Sequence, residues 1–223
     1  MSTGTDSGTA RRAARYAALG DPWRLAVVEE LRRSDRSPVE LQRTVQLPSN
    51  LLAHHLDVLE GVGLITRSRS SGDGRRRYVH LEQGVLEGLS APARLRPQTA
   101  LFVCTHNSAR SQIAQSLWRQ LTGAEADSAG THPARRVHPG AVAAARRAGL
   151  DLRTARPRAL DDVPRLPALV ITVCDRAHEE LAPGESWVHW SVPDPVPVDT
   201  PAAFDATVIQ IRTRISALIG AAA

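Results

Sequence analysis

The sequence predicts two domains of different fold class: an N-terminal winged helix-turn-helix domain, α-helical with a β-wing, and a C-terminal α/β domain with a doubly wound parallel sheet. Two observations carry this prediction. Up to about residue 81, helical periodicities are followed by two short strand-like runs around a Gly-rich turn. From residue 99 onward, apolar runs alternate with helical stretches, as in parallel sheets with right-handed crossovers. A chain of 223 residues is long enough for two modest cores.

The predicted domain boundaries follow composition. Residues 1–10 are small and polar, which predicts a disordered tail. The winged helix-turn-helix domain is predicted over 11–90, a Pro- and Arg-containing linker over 91–98, and the α/β domain over 99–223. Residues 1–96 hold 15 Arg and 11 acidic residues, whereas 97–223 hold 13 and 12, so the N-terminal half is the candidate for a polyanionic partner.

Three helices are predicted to open the first domain. Residues 11–19 are Ala-rich and helical, and Gly20, Asp21 and Pro22 end this helix. A second helix carries an apolar stripe of Leu25, Val28 and Leu31. Ser37 and Glu40 form a capping box for a third helix, with Pro at its first position.

A fourth helix is predicted over residues 49–60, after a turn at 46–48. Leu52, Leu56 and Leu59 share its buried face, while Asn50, Ala53, His54 and Asp57 share the opposite, small and polar face. Two short helices joined by a tight turn, the second with such a face, are typical of a helix-turn-helix with a recognition helix. Four residues of this helix are therefore predicted to bind DNA: Ser49, Asn50, Ala53 and His54.

A hairpin wing is predicted after the recognition helix. Its strands are residues 64–66 and 78–81, and Ser71-Gly-Asp-Gly74 forms the turn. Five arginines lie along it, which suits contacts with DNA phosphates or with a minor groove: Arg67, Arg69, Arg75, Arg76 and Arg77. Double-stranded DNA is the predicted partner.

Residues 16–81 resemble the ArsR-type winged-helix repressors. The resemblance rests on Ala-Leu-Gly-Asp-Pro-x-Arg-Leu at 18–25, His-His-Leu-x-Val-Leu at 54–59 and Gly-Leu-Ile at 63–65. It implies a homodimer that pairs through the first and last helices, here 11–19 and 84–95. Many relatives bind arsenite or metal through cysteines, but this chain has no cysteine before Cys104. We expect no metal site, since the adjacent His54 and His55 point to different faces of a helix.

The second domain begins with a strand, a loop and a helix around one cysteine. Residues 100–103 are strand-like, and Ile113, Leu117 and Leu121 recur as a helical stripe. Cys104 therefore ends a strand and faces a helix N-terminus. The loop between them is predicted to bind a tetrahedral oxyanion through its backbone N–H groups and the Arg110 guanidinium: Thr105, His106, Asn107, Ser108, Ala109 and Arg110. The same positive field favours the nucleophilic thiolate of Cys104.

The Cys-x5-Arg-Ser spacing resembles the low-molecular-weight protein tyrosine phosphatases and the arsenate reductases built on that fold. The resemblance implies that Cys104 is the nucleophile, Arg110 clamps the oxyanion and Ser111 hydrogen-bonds the thiolate. The family usually has Gly where His106 stands. It also places its general acid in an Asp-Pro element, which is Asp194 here. The surroundings of Cys174 and His189-Trp190 look more like the reductases than the phosphatases.

Cys174 ends a second apolar strand and has two interpretations. It could resolve a Cys104 adduct by forming a disulfide, or it could be an ordinary buried cysteine while a small thiol performs that step. Relatives that depend on thioredoxin have a further cysteine near Leu181, and none is present.

The sequence therefore predicts a DNA-binding regulator fused to an arsenate reductase-like domain, acting in arsenic response. Two alternatives remain open at this point: a protein tyrosine phosphatase with a DNA-binding domain, and a regulator whose second domain is a non-catalytic oxyanion sensor. No bound cofactor is expected, but a reductase would need an external reductant, thioredoxin-like or a low-molecular-weight thiol. Two cysteines and no long apolar stretch indicate a cytoplasmic protein without a membrane partner.

Overall fold

The structure is a computed structural model that describes residues 4–82, 85, 96–183 and 186–219. It divides into two compact units. One comprises Met1–Arg69 and Arg75–Ala91, and the other comprises Ser70–Gly74 and Pro92–Ala223. The predicted last helix of the first domain, 84–95, lies outside the described residues apart from Val85, and so do the first five residues of the predicted linker.

The first unit consists of four helices and a two-stranded antiparallel sheet. In chain order the elements are α1 (Gly4–Leu19), α2 (Pro22–Arg33), α3 (Pro38–Val45), α4 (Ser49–Gly61), β1 (Ile65–Arg69) and β2 (Arg77–Leu81). The strands pair from Ile65 with Leu81 to Arg69 with Arg77. The predicted helices and wing strands are present, and their shared core includes Val28, Leu31, Leu56 and Leu59.

Helix α1 differs from the prediction at its start. Residues 1–10 are predicted as a disordered tail, but the helix already begins at Gly4. Once the Ala- and Arg-rich segment has nucleated a helix, each further residue adds a backbone hydrogen bond at little cost. A prediction from composition alone therefore puts the first ordered residue too far along the chain.

Side-chain caps fix the helices around the turn. Asp21 accepts hydrogen bonds from Trp23 N (2.9 Å) and Arg24 N (3.0 Å), and the bond from Arg24 is the main cause that lowers the pKa of Asp21. The predicted capping box is confirmed, because Glu40 accepts from Ser37 N at 2.6 Å while Ser37 caps Glu40 N. Gln46 ends α3 in the left-handed region, at a φ of 55°, and so turns the chain towards α4.

The second unit contains the predicted α/β fold. After the first unit, the elements are β3 (Ala100–Cys104), α5 (Arg110–Thr122), β4 (Ala126–Gly130), α6 (Pro139–Arg147), β5 (Leu169–Thr172), α7 (Asp175–Leu181), β6 (Val188–His189) and α8 (Pro201–Ile219). The strands form a parallel sheet in the order β4, β3, β5, β6.

The two faces of the sheet bury alternate residues of β3. Ala100, Phe102 and Cys104 belong to the larger core, which α5, α6 and α8 help to form, whereas Leu101 and Val103 pack with Val170, Leu160 and Trp187. Because β3 is central and parallel to its neighbours, Cys104 lies at the carboxyl edge of the sheet. Ligands bind at this edge in open α/β sheets. None of the helices among the described residues has the length and apolar character needed to cross a membrane.

Candidate active site

Cys104 is buried at the end of β3 and its sulfur is surrounded by hydrogen-bonding groups. Asn107 N lies 3.2 Å from the Sγ atom and Ser111 Oγ lies 3.0 Å from it. Both groups can donate to sulfur, and such bonds stabilise a thiolate more than a thiol. The strand, loop and helix predicted around this residue therefore give the cysteine the environment of a nucleophile.

The loop after Cys104 is held by its carbonyl oxygens. The carbonyls of Cys104, Thr105, His106 and Ser108 accept hydrogen bonds of 2.8 to 3.2 Å from the backbone N–H groups of Thr131, His132, Ala134 and His138. In a peptide unit the N–H points opposite to the C=O. The N–H groups that follow these carbonyls therefore point away from residues 131–138, as that of Asn107 does towards the Cys104 sulfur. Backbone N–H groups with this orientation can line a concavity of the kind that binds anions.

Gly130 allows this close approach. A Cβ atom at this position would lie 2.7 Å from the Thr105 carbonyl oxygen and 3.0 Å from the Cβ atom of Asn107. Any side chain here would push the loop away from the strand β4 that precedes residues 131–138.

Asn107 fixes the shape of the loop. It has a φ of 47°, in the left-handed region that Asn tolerates better than most residues. Its Nδ2 donates to Ser111 Oγ (2.8 Å) and Ser128 Oγ (2.9 Å), and its Oδ1 accepts from Gln112 Nε2 (3.0 Å) and Arg158 N (2.9 Å). The buried side chain thus uses both its donor and its acceptor capacity.

The interactions of Asn107 also orient the Ser111 hydroxyl. Because Ser111 Oγ accepts a hydrogen bond from Asn107, its own proton is free to point at the Cys104 sulfur 3.0 Å away. The structure thus brings the Ser111 hydroxyl and the Cys104 sulfur together.

Arg110 and Asp194 meet at the mouth of the loop. Arg110 is the first residue of α5 and is only 5% exposed. One guanidinium nitrogen donates to the Val192 carbonyl (3.0 Å) and the other to Asp194 Oδ2 (2.8 Å). The structure thus places the predicted clamp and the predicted general acid in direct contact.

Cys174 does not end the strand as predicted: it lies two residues after β5, at the N-cap of α7, beside the same loop. Its sulfur is 3.4 Å from Thr105 Oγ1 and accepts from Ala177 N at 3.4 Å, so it caps α7. Burial raises the pKa of the Cys174 thiol, and the nearby Cys104 raises it further, while Arg110 opposes this effect. Both cysteines are free.

Some residues that build the site are absent from the sequence predictions. Gln112, Ser128 and Arg158 hold Asn107, and the Val192 carbonyl holds Arg110. The one local signal was an asparagine three residues after Cys104, a type suited to a positive φ. The other partners come from distant parts of the chain, which spacing alone does not connect.

The predicted DNA-contacting residues form two groups in the first unit. Ser49, Asn50, Ala53 and His54 are all exposed on α4, and Arg69, Arg75, Arg76 and Arg77 are exposed on the wing. Arg67 differs, because it is half-buried and pairs with Asp57 (2.7 Å) and Glu60 (3.5 Å) on α4.

The two adjacent histidines of α4 have different surroundings. His54 is exposed, whereas His55 is buried with its Nδ1 3.8 Å from Asp21 Oδ1. The described part of the chain contains no group of three or more His, Cys, Asp or Glu residues suited to a metal ion.

Comparison with known proteins agrees with both halves of the fold. A family described as "Helix-turn-helix domain" matches residues 19–68. The "HTH-type transcriptional repressor SmtB" of Mycobacterium tuberculosis is 35% identical over 75 residues, which cover 33% of this chain and 56% of that protein. The "Arsenate reductase 2" of Staphylococcus saprophyticus is 34% identical over 106 residues, covering 44% of this chain and 79% of the relative.

A solved structure of a low molecular weight protein tyrosine phosphatase from T. tengcongensis matches with a TM-score of 0.50 and 21% identity, covering 55% of this chain and 98% of that one. At this identity the match shows the fold alone. A family described as "Low molecular weight phosphotyrosine protein phosphatase" matches residues 99–222, more than half of the chain. The chain therefore belongs to the low molecular weight phosphotyrosine protein phosphatase family, with an arsenate reductase-like domain of that family joined to an N-terminal helix-turn-helix domain.

Proposed function

We propose that this chain is a transcriptional regulator of arsenic response that binds duplex DNA as a homodimer and whose second domain reduces arsenate. The observation that carries the enzymatic part is the environment of Cys104. Its sulfur faces the Asn107 N–H and the Ser111 hydroxyl, and a second cysteine lies beside the same loop.

The proposed reaction has two steps. The Cys104 thiolate attacks the arsenic atom of arsenate, a sulfur–arsenic bond forms, and one oxygen leaves as water after it is protonated. A second thiol then attacks the Cys104 sulfur, and the electron pair of the sulfur–arsenic bond returns to arsenic. Overall, arsenic acid and two thiols give arsenous acid, one disulfide and water, so that pentavalent arsenic gains the two electrons that the thiols lose and becomes trivalent.

Arg110 and Asp194 have distinct roles in the first step. The Arg110 guanidinium binds two oxygens of the anion, for which its planar fork is suited. Asp194 donates the proton to the departing oxygen as a general acid. An oxyanion in the loop competes with Asp194 for Arg110, which separates the 2.8 Å pair and turns the carboxyl group towards the substrate.

Two routes for the second step differ in which thiol attacks the Cys104 sulfur. In the internal route Cys174 attacks Cys104, and an external dithiol such as a thioredoxin-like protein then reduces the disulfide. In the external route a low-molecular-weight thiol attacks Cys104 directly. The contact between Thr105 and Cys174 favours the internal route, because it places the second sulfur beside the residue that follows Cys104.

A phosphatase is the second candidate function, and the contact between Arg110 and Asp194 is compatible with it. A guanidinium beside a carboxyl group at the mouth of an anion loop suits phosphate ester hydrolysis equally well. A regulator with a non-catalytic oxyanion sensor is the third candidate.

One experiment distinguishes these candidates. The purified chain is assayed with arsenate and a thiol, and separately with an aryl phosphate, with Cys104→Ser as the control. Arsenate reduction that requires Cys104 supports our proposal, whereas aryl phosphate hydrolysis alone supports the phosphatase. Binding of arsenate with neither reaction supports the sensor and contradicts the proposal.

DNA binding is proposed to use the exposed face of α4 for bases and the wing arginines for phosphates. For the homodimer we propose pairing through α1 and residues 84–95. Trp23 and Leu25, at the start of the following helix, are 44% and 42% exposed and add apolar surface near α1. Sedimentation at micromolar concentration tests the dimer, and a monomer at that concentration would contradict it.

A further inference from the structure

A buried polar cluster surrounds the second cysteine and has no part in the chemistry described so far. It consists of Thr172 on β5, Asp175 and His178 on α7, and His189 on β6, and all four residues are buried. Burying a carboxylate and two imidazoles is costly unless their interactions are satisfied. Apolar residues would fill the same space at lower cost, so the cluster calls for a functional explanation.

The cluster is a chain of contacts through one imidazole. His189 Nδ1 lies 2.9 Å from Thr172 Oγ1, and its Nε2 lies 3.3 Å from Asp175 Oδ1. His178 Nδ1 lies 3.1 Å from the same Thr172 hydroxyl, and the two imidazole rings stack with centroids 4.1 Å apart. His189 therefore connects a strand residue to a helix residue.

The directions of the hydrogen bonds follow from the available protons. The Asp175 carboxylate only accepts, so His189 Nε2 must carry the proton that faces it. The Thr172 hydroxyl lies within hydrogen-bond distance of Nδ1 of both His189 and His178, so it links the two imidazoles. Burial would raise the pKa of Asp175, but hydrogen bonds from His189 and Ser191 outweigh burial and lower it to about 2, so this residue is a carboxylate at neutral pH.

The position of the cluster in the chain gives it a consequence for Cys174. Thr172 precedes Cys174 by two residues and Asp175 follows it directly. His189 thus contacts a side chain on each side of the cysteine in the chain. Fixing these two neighbours restricts the direction of the Cys174 side chain, whose sulfur lies 3.4 Å from Thr105 beside the loop.

We propose that His189, with Thr172 and Asp175, positions Cys174 for attack on the Cys104 sulfur. His189 acts through Cys174 and does not touch the reacting atoms. This inference rests on the proposed function, specifically on its internal route, in which Cys174 is the second thiol. It adds three positioning residues that hold the second sulfur.

Thiol–disulfide exchange tests this positioning without arsenate. Cys104 of the reduced full chain attacks glutathione disulfide, which forms a mixed disulfide and releases one glutathione thiolate. Cys174 then attacks the Cys104 sulfur, the second glutathione leaves, and a Cys104–Cys174 disulfide remains. Acid quenching, alkylation and mass measurement of the intact chain follow both steps. The first step reports on Cys104 alone and the second on the position of Cys174.

Two substitutions of His189 each remove one of its two side-chain contacts. The amide nitrogen of Gln reaches the position of Nε2, so His189→Gln can still donate to Asp175 but loses Thr172. The amide of Asn reaches the position of Nδ1, so His189→Asn can keep Thr172 but loses Asp175. We expect both variants to leave the first step unchanged and to slow the second by about ten- to a hundredfold, because a misplacement of about 1 Å has effects of this size.

A matched pair at Thr172 guards against misfolding of the histidine variants. Thr172→Val keeps the shape without the hydroxyl and should slow the second step as His189→Gln does. Thr172→Ser keeps the hydroxyl and should restore the wild-type rate. A second step at the wild-type rate in Thr172→Val would overturn the proposal, and so would a wild-type mixed disulfide that Cys174 never resolves.

The outcome is separable from that of the proposed function. If disulfide closure depends on His189 but the wild-type chain does not reduce arsenate, the positioning role stands and the reductase proposal fails. If arsenate is reduced while Thr172→Val and the histidine variants close the disulfide at the wild-type rate, the reductase proposal stands and the positioning role fails.

Discussion

Replacing Asn107 by Ala should destabilise the second unit more than most single substitutions do. The change removes four hydrogen bonds of 2.8 to 3.0 Å made by a fully buried side chain. At about 1 kcal/mol each, allowing for partial relaxation, they contribute about 3 kcal/mol. A residue with a Cβ and a φ of 47° costs about 1 kcal/mol more, because Ala lacks the tolerance of Asn. The free energy of unfolding should therefore fall by about 4 kcal/mol.

Urea denaturation of the full chain measures this loss through the fluorescence of Trp118 and Trp190, which are buried in the second unit. Asn107→Gly is the matched variant, since it loses the same hydrogen bonds but tolerates the backbone conformation. It should be more stable than Asn107→Ala by about 1 kcal/mol. If both variants lose less than about 1 kcal/mol, the four hydrogen bonds do not contribute as the geometry implies.

Asn107→Asp tests the orientation of the Ser111 hydroxyl. A carboxylate in place of Nδ2 would accept the proton of Ser111 and draw it away from the Cys104 sulfur, which is now 3.0 Å from the hydroxyl oxygen. Alkylation of Cys104 by iodoacetamide at neutral pH should then slow by about tenfold, since the loss of one bond to the thiolate corresponds to about 1.4 kcal/mol. Unchanged alkylation would refute the inferred direction of this hydrogen bond.

The remaining predictions concern the wing, the site and acid stability. Alanine at all three arginines of residues 75–77 should weaken DNA binding across sequences and reduce its salt dependence, and an unchanged salt slope would show that they contact no phosphates. The Arg110→Lys variant should lose both anion binding and turnover, because the point charge of Lys cannot replace the planar guanidinium. The Asp194→Asn variant should bind the anion normally but turn it over about a hundredfold to ten-thousandfold more slowly. An N-terminal fragment should keep its DNA affinity in arsenite, since no cysteine precedes Cys104, and release would contradict this expectation. The pKa of Asp175 falls from 3.8 to about 2 on folding, so its carboxylate should add about 2 kcal/mol to the free energy of unfolding above pH 4. This stabilisation should be lost as the pH falls towards 2. It is absent if the Asp175→Asn variant loses as much stability over this pH range as the wild type.

Local patterns predicted the elements that depend on neighbours in the chain. The capping box at Ser37, the apolar stripe after Arg110 and the apolar run before Cys104 each specify a helix or strand within about ten residues, and each is present. The start of α1 is the exception, because helix extension depends on cooperativity that composition does not report.

Contacts across the sheet could not be predicted in the same way. His189 and Asp175 are 14 positions apart, and only the parallel pairing of β5 with β6 places them together. The arginines of the wing illustrate the same limit. From the sequence, Arg67 and Arg69 are predicted to have the same role in DNA binding. In the structure, however, Arg67 pairs with Asp57 on α4. Charge patterning identifies a basic segment, but folding decides which of its charges are already paired.

The two cysteines limit the chemistry that the chain can complete by itself. They are the only cysteines in the sequence: Cys104 ends β3, and Cys174 lies two residues after the adjacent parallel strand β5. The two thiols give up two electrons when they form one disulfide, which is the number that the reduction of one arsenate requires. A second turnover therefore needs an external thiol to reach a pair that is at most 2% exposed. His106 is the exposed residue of the loop, and its Nδ1 lies 3.0 Å from the His132 carbonyl oxygen. If the proposed internal route operates, we expect reduction of this buried disulfide by the external thiol to limit repeated turnover.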